Sequence, residues 1–335
     1  MSLANNYRAQ QMSNLIRNQW PLLVIVLLTM IAYSSSLYGD FILDDIRFIQ
    51  RIAEFESIGD WVDSDRPVLL ITFCLNYAVH GLDLVGFHVV NLSIHIVGAV
   101  TFYLLIRDTA ALCGQERRSA RAIAFSTSLL WALHPLQTQS VTYIVQRGES
   151  LMAMLMLLSL YFTLRAARHK QPTYWQLLVV ICCCLGMFSK SVMVVAPLLI
   201  LLFDRIYLAE SWFQLLRRRG VMHAGVLGSA ISLVMYFAGM SERLMEHGVG
   251  ASDTTSSVVS YLLSQSAVLV HYLKLSIWPN PLCLDYGWPI CESWKDVVLP
   301  GLTIISLLTG VVFLLITKPR VGFIGISFFI VLAPT

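Results

Sequence analysis

Charge is scarce in this chain: only 13% of its 335 residues are Asp, Glu, Lys or Arg, against 57% hydrophobic ones, and the mean hydropathy is +0.69. So little charge excludes a water-soluble domain that must keep a polar surface, and makes a lipid bilayer the expected solvent. Also missing is the alternation of apolar and polar positions over roughly ten residues that an outer-membrane barrel needs, which leaves helices as the spanning elements. No Cys or His run has zinc spacing, no solenoid-length period repeats, and no low-complexity stretch occurs. The seven cysteines make no disulfide framework, since Cys182, Cys183 and Cys184 are consecutive in an apolar span and serve there as small packing groups. Cys283 and Cys291 share an extramembrane segment and could pair in an oxidising compartment.

What is present is apolar length. Seven or more segments, among them 21–37, 86–106, 192–209 and 296–317, can each cross a hydrocarbon core of about 30 Å as a helix. The fold class expected is an all-α polytopic membrane protein. Arg8 and Arg17 before the first run, and Ser34 to Ser36 after it, imitate a signal peptide, but the many spans that follow favour a retained anchor. Lys and Arg gather in alternate loops: Arg8 and Arg17; Arg107, Arg117, Arg118 and Arg121; Arg165, Arg168 and Lys170; Arg205 and Arg217 to Arg219. The positive-inside rule makes these cytoplasmic. Residues 1–20 are then a cytoplasmic segment and 21–335 one transmembrane domain. Loop one (38–85), 135–149, the Ser189-Lys190-Ser191 connection and 241–295 share the opposite side. Within 241–295, the stretch 258–277 would break the parity as a full span, and Gln265, His271 and Lys274 make it a poor lipid-facing one. A membrane-embedded or interfacial helix is expected there. The final FFIVLAPT stops inside an apolar run, so a further domain is expected beyond it.

Three outer-side groups could carry chemistry. DFILDDIRFI puts Asp40, Asp44 and Asp45 just after the first span, where desolvation and like charge raise at least one carboxyl pKa, as suits a general base or a metal ligand. A solvated acidic loop or a helix N-cap explains the same residues. The second group runs through Arg66, Asn76, Tyr77, His80, His88, Asn91 and His95. Its members at helical spacing on the second span line a cavity or hydrogen-bond between helices, and both readings stand. In the third group, HPLQTQSVTYIVQRGES, His134 precedes Pro135, and Arg147 and Glu149 open the next span. Arg147, Lys190 and Arg66 are the few cations on this acidic side, suited to a phosphate at headgroup level, or else to snorkelling or salt bridges, as between Arg147 and Glu149 or a loop-one Asp.

The succession FILDD, RPVLLITFCLNYAVHGLDLVGFHVVNLSIH, ALHPLQTQSVTYIVQRGES, GMFSKSVMVVAPLLILLFD and HYLKLSIWPNPLCLDYGWP, in that order along nearly the whole chain, resembles the TMTC-like family of transmembrane, tetratricopeptide-repeat-containing O-mannosyltransferases and their bacterial relatives. The resemblance implies a GT-C glycosyltransferase fold, and a tetratricopeptide-repeat domain after the last residues here. It implies a polyprenyl- or dolichyl-phosphate-linked sugar, mannose or another hexose, as donor, and a protein Ser/Thr hydroxyl on the extracytoplasmic side as acceptor. The family's acidic pair falls on Asp44 and Asp45, its His-Pro block on His134 and Pro135, and its Lys-Glu block on Lys190 and Ser191. The sequence departs from the pattern at Ser191, where Glu is usual, and at Gln139, where some members are acidic.

On this reading Asp44 is the general base and Asp45 assists it, while His134, Arg147 and Lys190 meet the donor phosphate. Arg66, Asn76, His80, His88, Asn91, Glu149 and His271 line the substrate pocket. No metal is obligatory, although adjacent carboxylates could hold Mg or Mn. The expected membrane is the bacterial plasma membrane ahead of the endoplasmic reticulum, and no nucleic acid is involved. The competing readings are a transporter or flippase for a lipid-linked or small ligand, and an inactive membrane anchor for a repeat domain.

Overall fold

The computed structural model describes residues 19–53, 66–246, 255–284, 286–287 and 294–334. Among the described residues every regular element is helical and there is no strand, as the composition demanded. Six helices are long and apolar enough to cross a membrane: Gln19–Tyr38, Leu84–Leu112, Ile144–Arg168, Ser191–Leu208, Trp212–Gly239 and Val297–Thr317. The expectation was seven or more. The difference lies in three apolar helices of 10–17 residues, Pro67–His80, Pro172–Met187 and Pro319–Leu332, each opened by a proline that suits a helix start but cannot extend one backwards. The chain divides into two compact units, Met1–Lys190 and Ser191–Thr335.

The first unit holds α1 (19–33), α2 (Asp44–Ala53), α3 (Pro67–His80), α4 (Leu84–Leu112), α5 (Arg117–Ala132), α6 (Gln137–Thr142), α7 (Arg147–Arg168) and α8 (Pro172–Met187). Its centre is α4, which packs against α5 and α7, while α7 packs against α8. Small residues make these approaches close. Ala120, Ala124, Ser128 and Ala132 recur every fourth residue along α5 and are all buried, a stripe that lets two backbones pack without bulky side chains between them. On α7, the buried Ser159 and Thr163 hydroxyls donate to the Leu155 and Ser159 carbonyls of the preceding turns. Cys182 and Cys183 of α8 are buried thiols, in keeping with their expected packing role, while Cys291 lies outside the described residues.

Two apolar clusters tie the ends of this unit. Ile25 of α1, Ala99 and Tyr103 of α4, and Ala124 and Ala132 of α5 form one. Ile49 and Ile52 of α2 join Leu69, Leu70, Phe73 and Cys74 of α3, Phe87 of α4 and Ile144 in the other. The second cluster lays amphipathic α2 on the bundle, apolar side inward, and so fixes where the aspartates at its start can be.

The second unit holds α9 (Ala196–Phe203), α10 (Trp212–Glu246), α11 (Thr255–Ile277), α12 (Trp294–Thr317) and α13 (Pro319–Leu332). The stretch expected as an embedded or interfacial helix lies in α11, a continuous helix of 23 residues that is not among the six spanning ones. Along α12 no residue of the apolar window is buried, which leaves its Leu, Ile and Phe side chains exposed, as suits a span in lipid. It meets α13 at Gly322, where a Cβ would stand 2.3 Å from the Leu315 nitrogen; only glycine allows that approach.

Candidate functional site

The two aspartates of loop one are adjacent in sequence and opposite in environment. Leu43 has a φ of 44°, a left-handed conformation costly for a side-chain-bearing residue, and this bend sets up the start of α2 at Asp44. Asp45 holds the bend. One of its carboxylate oxygens accepts the Ile42 N–H at 3.3 Å, and the other accepts the Val145 N–H at 2.8 Å, from the segment just before α7. It is 1% exposed, and burial, opposed by these backbone hydrogen bonds, pushes its carboxyl above the ordinary range. Asp44 is exposed, and its backbone N–H donates to the Tyr143 hydroxyl at 3.1 Å. The Tyr143 phenol is buried, and its pKa is raised first by burial and then by the charges of Asp44 and Asp45. Sequence reasoning missed Tyr143; its only signal was a place in the His-Pro block four residues before Arg147.

Behind the pair lies Arg147, fully buried. Its Nε donates to Asn91 Oδ1 at 2.6 Å, one terminal nitrogen to the Thr72 carbonyl at 3.1 Å, and the other to Asn76 Oδ1 at 2.8 Å and the Phe87 carbonyl at 3.2 Å. The guanidinium also lies 4.0 Å from the centroid of the Phe73 ring. All these partners are neutral, and none of the guanidinium faces outward. The ion pair of Arg147 with Glu149 or a loop-one Asp, the alternative to phosphate binding, is therefore not formed: Glu149 pairs with Lys190 instead. The reason is reach, since Arg147 points into the bundle between α3 and α4 while Glu149, two residues on, turns toward the α8 end.

The structure thus brings together three of the expected groups. The Val68 N–H donates to the Phe188 carbonyl at 3.1 Å, seating the start of α3, where Arg66 is, on the turn that carries Lys190. A Cβ on Gly148 would stand 3.2 Å from Leu69 Cδ2, so the start of α7 abuts the same place. His134 is half-buried, and its Nδ1 accepts the Leu136 N–H at 3.2 Å, which puts the proton of the neutral ring on Nε2.

The polar face of α4 divides. Asn91 hydrogen-bonds between helices through Arg147 and through the Ile144 carbonyl at 3.2 Å, and His95 Nε2 meets the Ala132 carbonyl at 3.0 Å. His88 makes neither contact: its ring is buried against the Gly39 backbone. His80 is exposed, 3.3 Å from the Asn76 amide through Nδ1. His271 belongs to the second unit, on α11, its ring edge-on to Tyr286. Among the described residues no three His, Cys, Asp or Glu side chains gather as a metal cage.

The second unit has a buried cluster that sequence reasoning did not single out. Asp204 is fully buried, accepting two hydrogen bonds from Arg219 at 2.8 and 2.6 Å and lying 2.9 Å from His223 Nε2. The carboxylate joins the turn Asp204–Leu208 to α10.

Residues 83–237 match the family model described as dolichyl-phosphate-mannose-protein mannosyltransferase, a stretch that begins after the Asp44–Asp45 pair and includes His134, Arg147 and Lys190. The chain is similar to protein O-mannosyl-transferase F38B6.6 of Caenorhabditis elegans, 34% identical over 163 residues, covering 43% of this chain and 22% of that protein. Protein O-mannosyl-transferase TMTC4 of Mus musculus is 25% identical over 383 aligned positions, covering 93% of this chain and 50% of its own length. The Homo sapiens TMTC4 is 25% identical over 337 positions, covering 86% and 45%. The chain spans at most about half the length of these relatives. No solved structure matches. The resemblance read from the five ordered blocks is borne out: this is an integral, multi-pass membrane protein similar in sequence to the TMTC O-mannosyl-transferases.

Proposed function

We propose that this chain is the catalytic membrane portion of a glycosyltransferase that moves mannose or another hexose from a polyprenyl-phosphate donor to a Ser/Thr hydroxyl of a protein on the extracytoplasmic side. The observation that carries this reading is the division of labour within the aspartate pair. Asp45 spends both carboxylate oxygens on backbone N–H groups, whereas Asp44, one residue away, keeps an exposed carboxylate on a rigid helix start. In the transfer the acceptor oxygen bonds to the anomeric carbon, the bond from that carbon to the phosphate oxygen breaks, and the acceptor proton passes to Asp44. Asp45 is the positioning residue. A chelate shared by both carboxylates is disfavoured, because Asp45 is already occupied.

The phosphate that leaves carries added negative charge. Lys190, paired with a partly exposed Glu149, and His134, with its Nε2 proton, are the groups proposed to meet it. Arg147 moves from gripping the phosphate to supporting the site: its buried charge, balanced only by neutral partners, holds α3, α4 and α7 in register and keeps this end of the bundle electropositive. His88, buried against the Gly39 backbone just after the first span, is the residue proposed to line the pocket here.

The test is intact-mass analysis of exported or lumenal proteins from cells carrying the full-length gene as wild type, as Asp44→Asn, or not at all. A hexose increment seen only with wild type, while the variant inserts normally, is expected. An increment retained in Asp44→Asn would remove Asp44 as base, and identical spectra from all three strains would favour the transporter or anchor readings. The same comparison in a bacterial plasma membrane and in endoplasmic reticulum decides the native compartment.

A further inference from the structure

Of the residues proposed to serve transfer, Asp45 and Lys190 make contacts at the start of α7. Its other end, about 30 Å away along 22 residues, carries a different polar feature. A cavity of about 370 Å³ opens there, lined by Asp108 of α4, Leu164, Arg165 and Arg168 of α7, and His169 in the turn to α8. Asp108 accepts a hydrogen bond from Arg107 Nε at 2.7 Å, so its charge is already balanced, and Arg165 and Arg168 leave the cavity net positive. The Arg165 guanidinium is set over the Trp175 ring at 4.9 Å, and that ring is wedged against Phe162 at 5.6 Å and His169 at 5.8 Å. His169 Nδ1 accepts the Gln171 N–H at 3.2 Å, which leaves the Nε2 proton of the neutral ring to donate.

This is a built arrangement: one arginine held flat by an aromatic ring, a second exposed beside it, a ring N–H donor, and a buried leucine as the apolar wall. It sits where a 22-residue apolar helix ends, the level at which phospholipid headgroups lie. We propose that the cavity binds the phosphate of an anionic glycerophospholipid from the leaflet at this end of α7, independently of the transfer reaction. Arg165 and Arg168 meet the phosphate oxygens, His169 Nε2 donates a further hydrogen bond, and Asp108 accepts from the glycerol hydroxyls of the headgroup. Leu164 faces the start of the acyl chains.

The chain is purified into phosphatidylcholine nanodiscs, supplied with phosphatidylglycerol, and the retained lipid is read by native mass spectrometry. Wild type is expected to retain phosphatidylglycerol in preference to phosphatidylcholine, and Arg165→Gln and Arg168→Glu to weaken that retention by about fivefold or more. Losing Arg165 also removes its stacking on Trp175, so Arg168→Glu, at an exposed position, carries the test if the first variant does not fold. Equal retention by wild type and Arg168→Glu overturns the proposal. Excess inorganic phosphate is expected to leave the lipid in place; phosphate bound with no lipid preference would overturn the lipid assignment.

Discussion

Among the described residues two arginines are buried, one in each unit, and they are compensated in opposite ways. Arg219 lies against Asp204 in a two-bond fork with His223 beside it, so charge meets charge. Arg147 has no carboxylate among its partners: two side-chain amides, two backbone carbonyls and the faces of Phe73 and Phe87 surround it. A cancelled pair is a clamp, weak evidence for anything beyond stability. A cation held by neutral dipoles keeps its field, and Arg147 does so beside the residues proposed to meet a leaving phosphate.

The largest expected effect is at Arg147. Arg147→Leu strips donors from Asn76, Asn91, Thr72 and Phe87 at once, at about 1–3 kcal/mol for each acceptor left buried and unpaired. Loss of a folded, monodisperse protein on size-exclusion chromatography is expected, and near-normal thermal stability would mean that the network is dispensable. Arg219→Leu should cost about 3–5 kcal/mol by stranding the Asp204 charge, but the double variant Asp204→Leu with Arg219→Leu should recover most of it, since apolar residues can replace a buried pair. No such rescue exists for Arg147, and the contrast fails if the double variant is as unstable as the single one.

Tyr143→Phe removes the hydroxyl that accepts the Asp44 N–H while leaving the ring. A loss of roughly tenfold in transfer with little change in stability is expected, about the value of one hydrogen bond at the residue proposed as base. Single-turnover hexose transfer in detergent measures it, and unchanged transfer would detach Tyr143 from the site.

The smallest effect is at Asp45. Burial holds its folded pKa above its unfolded one, so its contribution favours the folded state below the usual carboxylate range and is withdrawn as pH rises through the folded value. Thermal melting across that window should therefore show a falling component in wild type that Asp45→Asn flattens. Parallel curves for the two proteins would place the titration elsewhere.

The helices were legible because lipid permits few solutions: an apolar stretch of sufficient length is a helix, whatever its neighbours do. The starts of the spans at 21, 86, 192 and 296 agree with helices beginning at 19, 84, 191 and 297. Less legible was which polar residue turns where. Asn91 and His95 share a face with His88, yet only those two reach the Ile144 and Ala132 carbonyls, because that depends on α5 and the 144–147 segment arriving alongside. Asp204 was invisible as a site since its partners lie 15 and 19 residues on, across a turn whose geometry no local spacing announces.

The sequence by itself determined the membrane habitat, the helical class and the resemblance to O-mannosyltransferases, since composition, span length and ordered motifs are all local properties. Tertiary structure decided which aspartate of the pair is exposed and which is a buried pin, that Arg147 is enclosed by neutral partners where an outward-facing grip was expected, and that Glu149 belongs to Lys190. Those outcomes depend on residues as many as 100 positions apart competing for the same few donors and acceptors, and in a buried polar site whichever partner arrives with the right geometry takes the bond.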